Sequence, residues 1–152
     1  MLTKALLGRY LDRDVWLAEI NHPSDLNDPI LDNSTMLIVF GDAVPAIERQ
    51  EAFDAISARE PITVMVAGNA AKVAWNELAD RVYLIERRKL TMAFNTDDAS
   101  AIGRLETFFF CSMPGEDRWD EWSGYVIVGW REDMSPYVSI VRAHFTNTLP
   151  SN

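Results

Sequence analysis

The sequence predicts an α/β fold, a mostly parallel sheet of about five strands covered by helices on both faces. Three observations carry this. Met36–Phe40, Ile62–Val66 and Tyr125–Val128 are short, almost purely apolar runs. A glycine follows each run at once or within two residues: Gly41, Gly68 and Gly129. A helix-patterned segment follows each glycine. Strands that are apolar on both faces belong to a sheet buried between two helical layers. At 152 residues, 48% of them apolar and 24% charged, the chain is expected to form a single three-layer domain over residues 1–152. A loose tail is expected from 146 to 152.

The elements follow in order. Leu2, Leu6 and Tyr10 fall at helical spacing, so a short amphipathic helix is expected to open the chain. Val15–Ile20 reads as a strand with one apolar face and one that ends polar, which suits the sheet edge. Asn21–Ser34 is the longest loop, marked by His22-Pro23, Asp28-Pro29 and clustered Asp and Asn. Met36–Phe40 is the second strand. Pro45 suits the first turn of the next helix, which buries Ala46, Phe53 and Ile56, and Pro61 stops it. Ile62–Val66 is the third strand. Asn69 suits the N-cap of a helix with Ala71, Ala74, Trp75 and Leu78 on one stripe. Val82–Ile85 reads as the fourth strand. Arg87–Lys89 reads as a turn or solvated edge, and Leu90–Phe94 as a further strand. Asp97 or Asp98 would cap a helix over Ala99–Cys111 that buries Ile102, Leu105, Phe108 and Phe109. Met113–Ser123 is a polar loop. Tyr125–Trp130 is the last strand. Ser135-Pro136 opens a closing helix with Val138, Val141 and Phe145 inside. The alternation resembles the Rossmann-like and flavodoxin-like doubly wound folds, which implies any ligand site at the carboxyl ends of the strands.

Charge narrows the partners. The formal charge is −9. Residues 1–60 carry 5 Lys/Arg against 11 Asp/Glu, residues 61–104 carry 6 against 5, and residues 105–152 carry 3 against 7. Nucleic acids and anionic membranes need a basic face, so neither is an expected partner, whereas a basic protein is. The single cysteine, Cys111, rules out an intramolecular disulfide and follows Phe108-Phe-Phe110, so it is expected in the core. No leader-like or membrane-length apolar stretch is present, and the expected location is cytoplasmic.

No catalytic motif appears: there is no Gly-x-Gly-x-x-Gly, Walker A, Gly-x-Ser-x-Gly or His-Glu-x-x-His pattern. No catalytic residue and no cofactor are expected. Asp42 after a strand invites a phospho-acceptor reading like that of response-regulator receivers. Their other acidic residues and late lysine are missing here. Cys111 and His144 lack an acidic orienter, and two separated histidines make a poor transition-metal site. Asp25, Asn27, Asp28, Asp32 and Asn33 offer hard oxygens, but their spacing matches no EF-hand, so turn chemistry explains them and no metal is expected.

Two candidate sites remain. A ligand crevice at the strand ends would be lined by Gly41, Asp42, Gly68, Asn69 and Asp97, where turn-making and capping offer the simpler account. The second is Glu116-Asp-Arg-Trp-Asp-Glu-Trp122, in which Trp119 and Trp122 stand three apart among four carboxylates. Aromatic anchors ringed by acids suit contact with a basic protein, through Asp117, Trp119, Asp120, Glu121 and Trp122. The alternative is that the indoles cover the core. In general character such a small, acidic, motif-free chain resembles immunity proteins and antitoxins that neutralise basic toxins. The expected function is therefore a non-catalytic protein-binding module, with a small-molecule or nucleotide-binding domain as the alternative. The edge strand and the tryptophans each offer a surface for a homodimer.

Overall fold

The computed structural model describes residues 2–85 and 92–146. The chain opens with two antiparallel strands, β1 (Thr3–Tyr10) and β2 (Arg13–Ile20). Leu11 and Asp12 join them, both with positive φ, 50° and 58°. That is the two-residue turn whose twist matches the strands it links. The expected opening helix is thus a strand. Helical spacing would put Leu2, Leu6 and Tyr10 on one side. The hairpin instead buries Leu2 in one core layer and Leu7, at a register shift between Leu6 and Gly8, in the other.

The rest alternates: β3 (Ser34–Phe40), α1 (Ala46–Arg59), β4 (Thr63–Gly68), α2 (Ala71–Ile85), β5 (Met92–Asn95), α3 (Ala101–Cys111), β6 (Gly124–Trp130) and α4 (Ser135–Ile140). A π-helical turn, Val141–Phe145, continues α4. The sheet has six strands in the order β1-β2-β6-β3-β4-β5. All neighbours are parallel except β1 and β2. Because β6 inserts between β2 and β3, the order is neither the Rossmann nor the flavodoxin one.

Helices cover both faces. Under α1 and α2 lie Met36, Ile38, Val64, Val126 and Trp130, closed at one side by Leu26 and Leu31. Those two leucines come from 3-10 turns at Pro23–Leu26 and Pro29–Leu31, so the long loop is ordered by burial. Under α3, α4 and the π turn lie Val15, Leu37, Met65, Tyr125 and Ile127. This second layer is aromatic. Tyr125 touches Phe108, Phe109, Tyr10 and Trp122 at centroid distances from 5.0 to 5.7 Å.

Several local expectations are corrected. Val82–Ile85 ends α2 instead of forming a strand, because a four-residue apolar run does not separate a strand from a last helical turn. The edge strands are β1 and β5, and Val15–Ile20 lies inside the sheet. Ala46 is exposed, since α1 buries Ala52, Phe53, Ile56 and Ser57. Cys111 and Ile102 are exposed because the inward stripe of α3 is Leu105, Phe108 and Phe109. Ser100, not Asp97 or Asp98, caps α3, and its side chain accepts from the Gly103 N–H. Ser135 lies inside α4, whose N-cap is Met134. Pro45 precedes α1 as its N-cap, and Ala70, not Asn69, accepts the first bond of α2, from the Ala74 N–H. The expectations for Arg87–Lys89 and for the tail beyond Thr146 lie outside the described residues.

Candidate functional site

The segment Glu116–Trp122 is a turn locked from below. Glu116–Arg118 forms a 3-10 turn, and the Trp119 N–H donates to the Glu116 carbonyl at 3.2 Å. Trp122 is only 3% exposed; its indole N–H donates to the Gly124 carbonyl at 3.1 Å. Trp119 is half-buried and meets Trp122 edge-on at 4.9 Å. Arg13, at the start of β2, fastens both. Its Nε donates to the Trp122 carbonyl at 3.1 Å and its Nη2 to the Trp119 carbonyl at 2.8 Å. Its Cζ lies 5.1 Å and 5.5 Å from the two indole centroids. A charged donor to a carbonyl is worth about 1.5–3 kcal/mol and a cation over an indole about 0.5–2 kcal/mol. Arg13 therefore fixes the turn to the hairpin.

The lock leaves the acids outside. Asp117, Asp120 and Glu121 are exposed, as is Glu116. Glu121 pairs with Arg118. Among the described residues no ion pair or hydrogen bond takes up the carboxylates of Glu116, Asp117 or Asp120. The parallel register sets Asp14, Gly124 and Ser34 side by side, so the amino ends of β2, β6 and β3 meet beneath this turn. Ser123 ties it to the neighbouring loop by donating from Oγ to the Asp32 carbonyl at 2.9 Å. Arg9 pairs with Asp14 at 3.5 Å, and Arg59 forks onto Asp32 at 3.0 and 2.6 Å. The nearby guanidiniums are thus engaged, and negative charge prevails at this end.

The carboxyl ends of the strands are built differently. The Gly41 N–H donates to the Trp130 carbonyl at 2.8 Å, and a Cβ on Gly41 would run into the Arg131 carbonyl. Gly68 has φ +94°, and a Cβ there would collide with the Phe40 carbonyl, which also accepts from the Asn69 N–H at 2.8 Å. Arg131 closes the seam, donating to the Ala43 carbonyl at 2.6 Å and pairing with Glu48 at 3.4 Å. At Gly41 and Gly68 main chain fills the space a Cβ would take. Asp42, Asn69 and Asp97 are exposed around this seam. Next to Asp97, Asp98 accepts from the Ser100 N–H and hydroxyl at 2.8 and 2.7 Å, which holds its carboxyl below the usual range.

The remaining sequence candidates resolve into local structure. Asp28 accepts from the Ile30 N–H and Asp25 from the N–H groups of Asn21 and His22, so these acids make turns. Among the described residues no three His, Cys, Asp or Glu side chains gather where a metal would bind. Among them, too, no helix is long and apolar enough to cross a membrane. Cys111 and His144 are both exposed. Burial raises the pKa of the Tyr125 phenol, whose oxygen has no hydrogen-bond partner in the aromatic layer. Two positions that fasten the ends of the sheet carried no sequence signal. Arg13 stands between two aspartates like any surface arginine, and its partners lie over a hundred positions away. Arg131 follows a strand, where any polar residue fits. The chain matches no protein-family model and no curated protein.

Proposed function

We propose that this chain is a non-catalytic, acidic protein-binding module that presents the turn Glu116–Trp122 to a basic partner protein, in the manner of an immunity or antitoxin-type inhibitor. One observation carries the reading: Glu116, Asp117 and Asp120 stand free and exposed on a turn that Arg13 and two tryptophans hold rigid. Fixing a binding loop beforehand removes the entropy cost of ordering it on contact, and unpaired carboxylates steer a cationic surface towards it. Trp119 offers its remaining exposed edge to the partner. Trp122 acts from inside by positioning the turn.

The test is capture of partners from lysate of the source organism at low and high salt, with the Asp117→Asn/Asp120→Asn double variant as the control. A single basic protein that elutes with salt and is not retained by the double variant supports the reading. Equal retention by the variant overturns it. A co-purifying nucleotide lost on Asp42→Ala or Asp97→Ala would instead place function at the strand-end crevice.

A further inference from the structure

We infer that a groove beside the acidic turn receives a basic amphipathic segment of the partner, an inference that rests on the reading of that turn as a docking site. Two adjoining cavities, of about 440 and 280 Å³, share His144 and Phe145. Ile102, Glu106 and Phe110 of α3 line the larger, and Arg9, Tyr10 and Leu11 of the hairpin line the smaller. Phe145 forms the common floor, stacked on Phe109 at 4.7 Å and touching Phe110 at 5.9 Å.

The groove exposes what a monomer would normally hide. Phe110 is 58% exposed, Leu11 43% and Ile102 37%. Ile102 and Phe110 lie off the inward stripe of α3, which is Leu105, Phe108 and Phe109, and Leu11 stands on the hairpin turn. Ile102, Glu106 and Phe110 form one row, four residues apart, on the outer side of the helix. Leu11 occupies a left-handed position where Asn or Gly is the ordinary choice, so its backbone is disfavoured and its side chain is wet. An aromatic and aliphatic centre beside a charged rim is the anatomy of a protein interface.

Charge selects the occupant. Tyr10, which lines the smaller cavity, pairs in register with Arg13, which holds the acidic turn, so groove and turn flank the same end of the hairpin. Glu106 lies inside the groove; Asp117 and Asp120 stand on the turn. Arg9 is engaged by Asp14 and by the Asp12 carbonyl. The opposing groups are His144, which lines both cavities, and Arg142, exposed near it on the π turn. A segment with apolar residues along one side and Lys or Arg facing Glu106 and the turn satisfies both features. A small apolar molecule would leave the carboxylates unused.

Three synthetic helical peptides test this by calorimetry and by amide shifts of the labelled full chain: a Leu/Lys amphipath, its Leu/Glu counterpart and a Gln/Lys control without the apolar face. The expected result is saturable one-to-one binding of the Leu/Lys peptide alone, with shifts at Ile102, Phe110 and Leu11. Phe110→Ser should weaken it about tenfold. Asp117→Asn with Asp120→Asn should weaken it about threefold to fivefold and flatten its salt dependence. If Phe110→Ser and Leu11→Asn leave the affinity unchanged while the aspartate variant lowers it, the groove inference fails and the docking turn stands. If the Leu/Glu peptide binds as well and the aspartate variant binds normally, the basic-partner reading fails and takes this inference with it. Absence of saturable binding by all three overturns the groove, with the turn judged by the lysate capture.

Discussion

The two ends of the sheet solve opposite problems. At the carboxyl ends, where open α/β folds usually leave a crevice, main chain meets main chain: Gly41 against Arg131 and Gly68 against Phe40. At the amino ends, side chains do the fastening, with Arg13 gripping two indoles and two carbonyls. The first solution needs residues without a Cβ and leaves little to vary. The second uses one half-buried cation to hold a turn whose outward residues are free of structural duty. The difference teaches where function is affordable: residues that stabilise nothing can be chosen for a partner.

The sharpest way to break this contrast is to add one carbon to the seam. Gly68→Ala forces a left-handed residue against the Phe40 carbonyl, and Gly41→Ala drives a methyl into Arg131. Each is expected to cost about 3 kcal/mol, a fall of about 10 °C in melting temperature. A melting temperature within a degree or two of the parent would show that the seam is loose. Arg13→Ala comes next, at about 2–3 kcal/mol, because two carbonyls lose a charged donor and both indoles lose their cation. Its tryptophan emission should shift to the red in the native state, and partner binding should weaken with it. Arg13→Lys is expected to rescue neither, since an ammonium lacks the planar fork that reaches both carbonyls. Full rescue by lysine would mean that charge alone holds the turn. Leu11→Asn works in the other direction. It relieves the left-handed strain and should raise stability by about 0.5–1 kcal/mol in chemical denaturation, while removing one wall of the groove.

Legibility in the sequence follows the same division. β3, β4 and β6 were readable because burial on both faces forces every position to be apolar. The hairpin was not, since Leu11-Asp12 replaces the Asn or Gly that announces such a turn. Without it the edge strand was misplaced: β1 was missed, and a strand was read instead at Val82–Ile85. The acidic tryptophan segment stood out by composition, yet the fate of its indoles was hidden. Trp122 is decided by Arg13 and Tyr125, contacts that exist only after β2 and β6 pair. The exposure of Cys111 was hidden for a simpler reason: three phenylalanines in a row cannot all face inward on a helix, and the run does not say which is left out.

The smallest effect separates the two ends by acid. Asp98 and Asp133 each accept from a backbone N–H at the start of a helix, from Ser100 and Ser135, and these bonds hold both carboxyls below the ordinary 3.8. A carboxyl lowered in the folded state contributes stability that is fully present above its unfolded value and is lost as pH falls through the folded one. Replacing Asp98 by Asn keeps an acceptor but removes the charge that helps α3 begin. The variant should therefore melt slightly below the parent at pH 7 and approach it as pH falls below 3.8. Asp120→Asn should show no such convergence, because it begins with no gap: among the described residues the Asp120 carboxylate has no partner. Parallel melts of the two variants between pH 7 and pH 3 check this directly. A gap at pH 7 that closes with acid for Asp120→Asn as well would mean that the turn's carboxylates do structural work, and the division between a fastened end and a presenting end would fall.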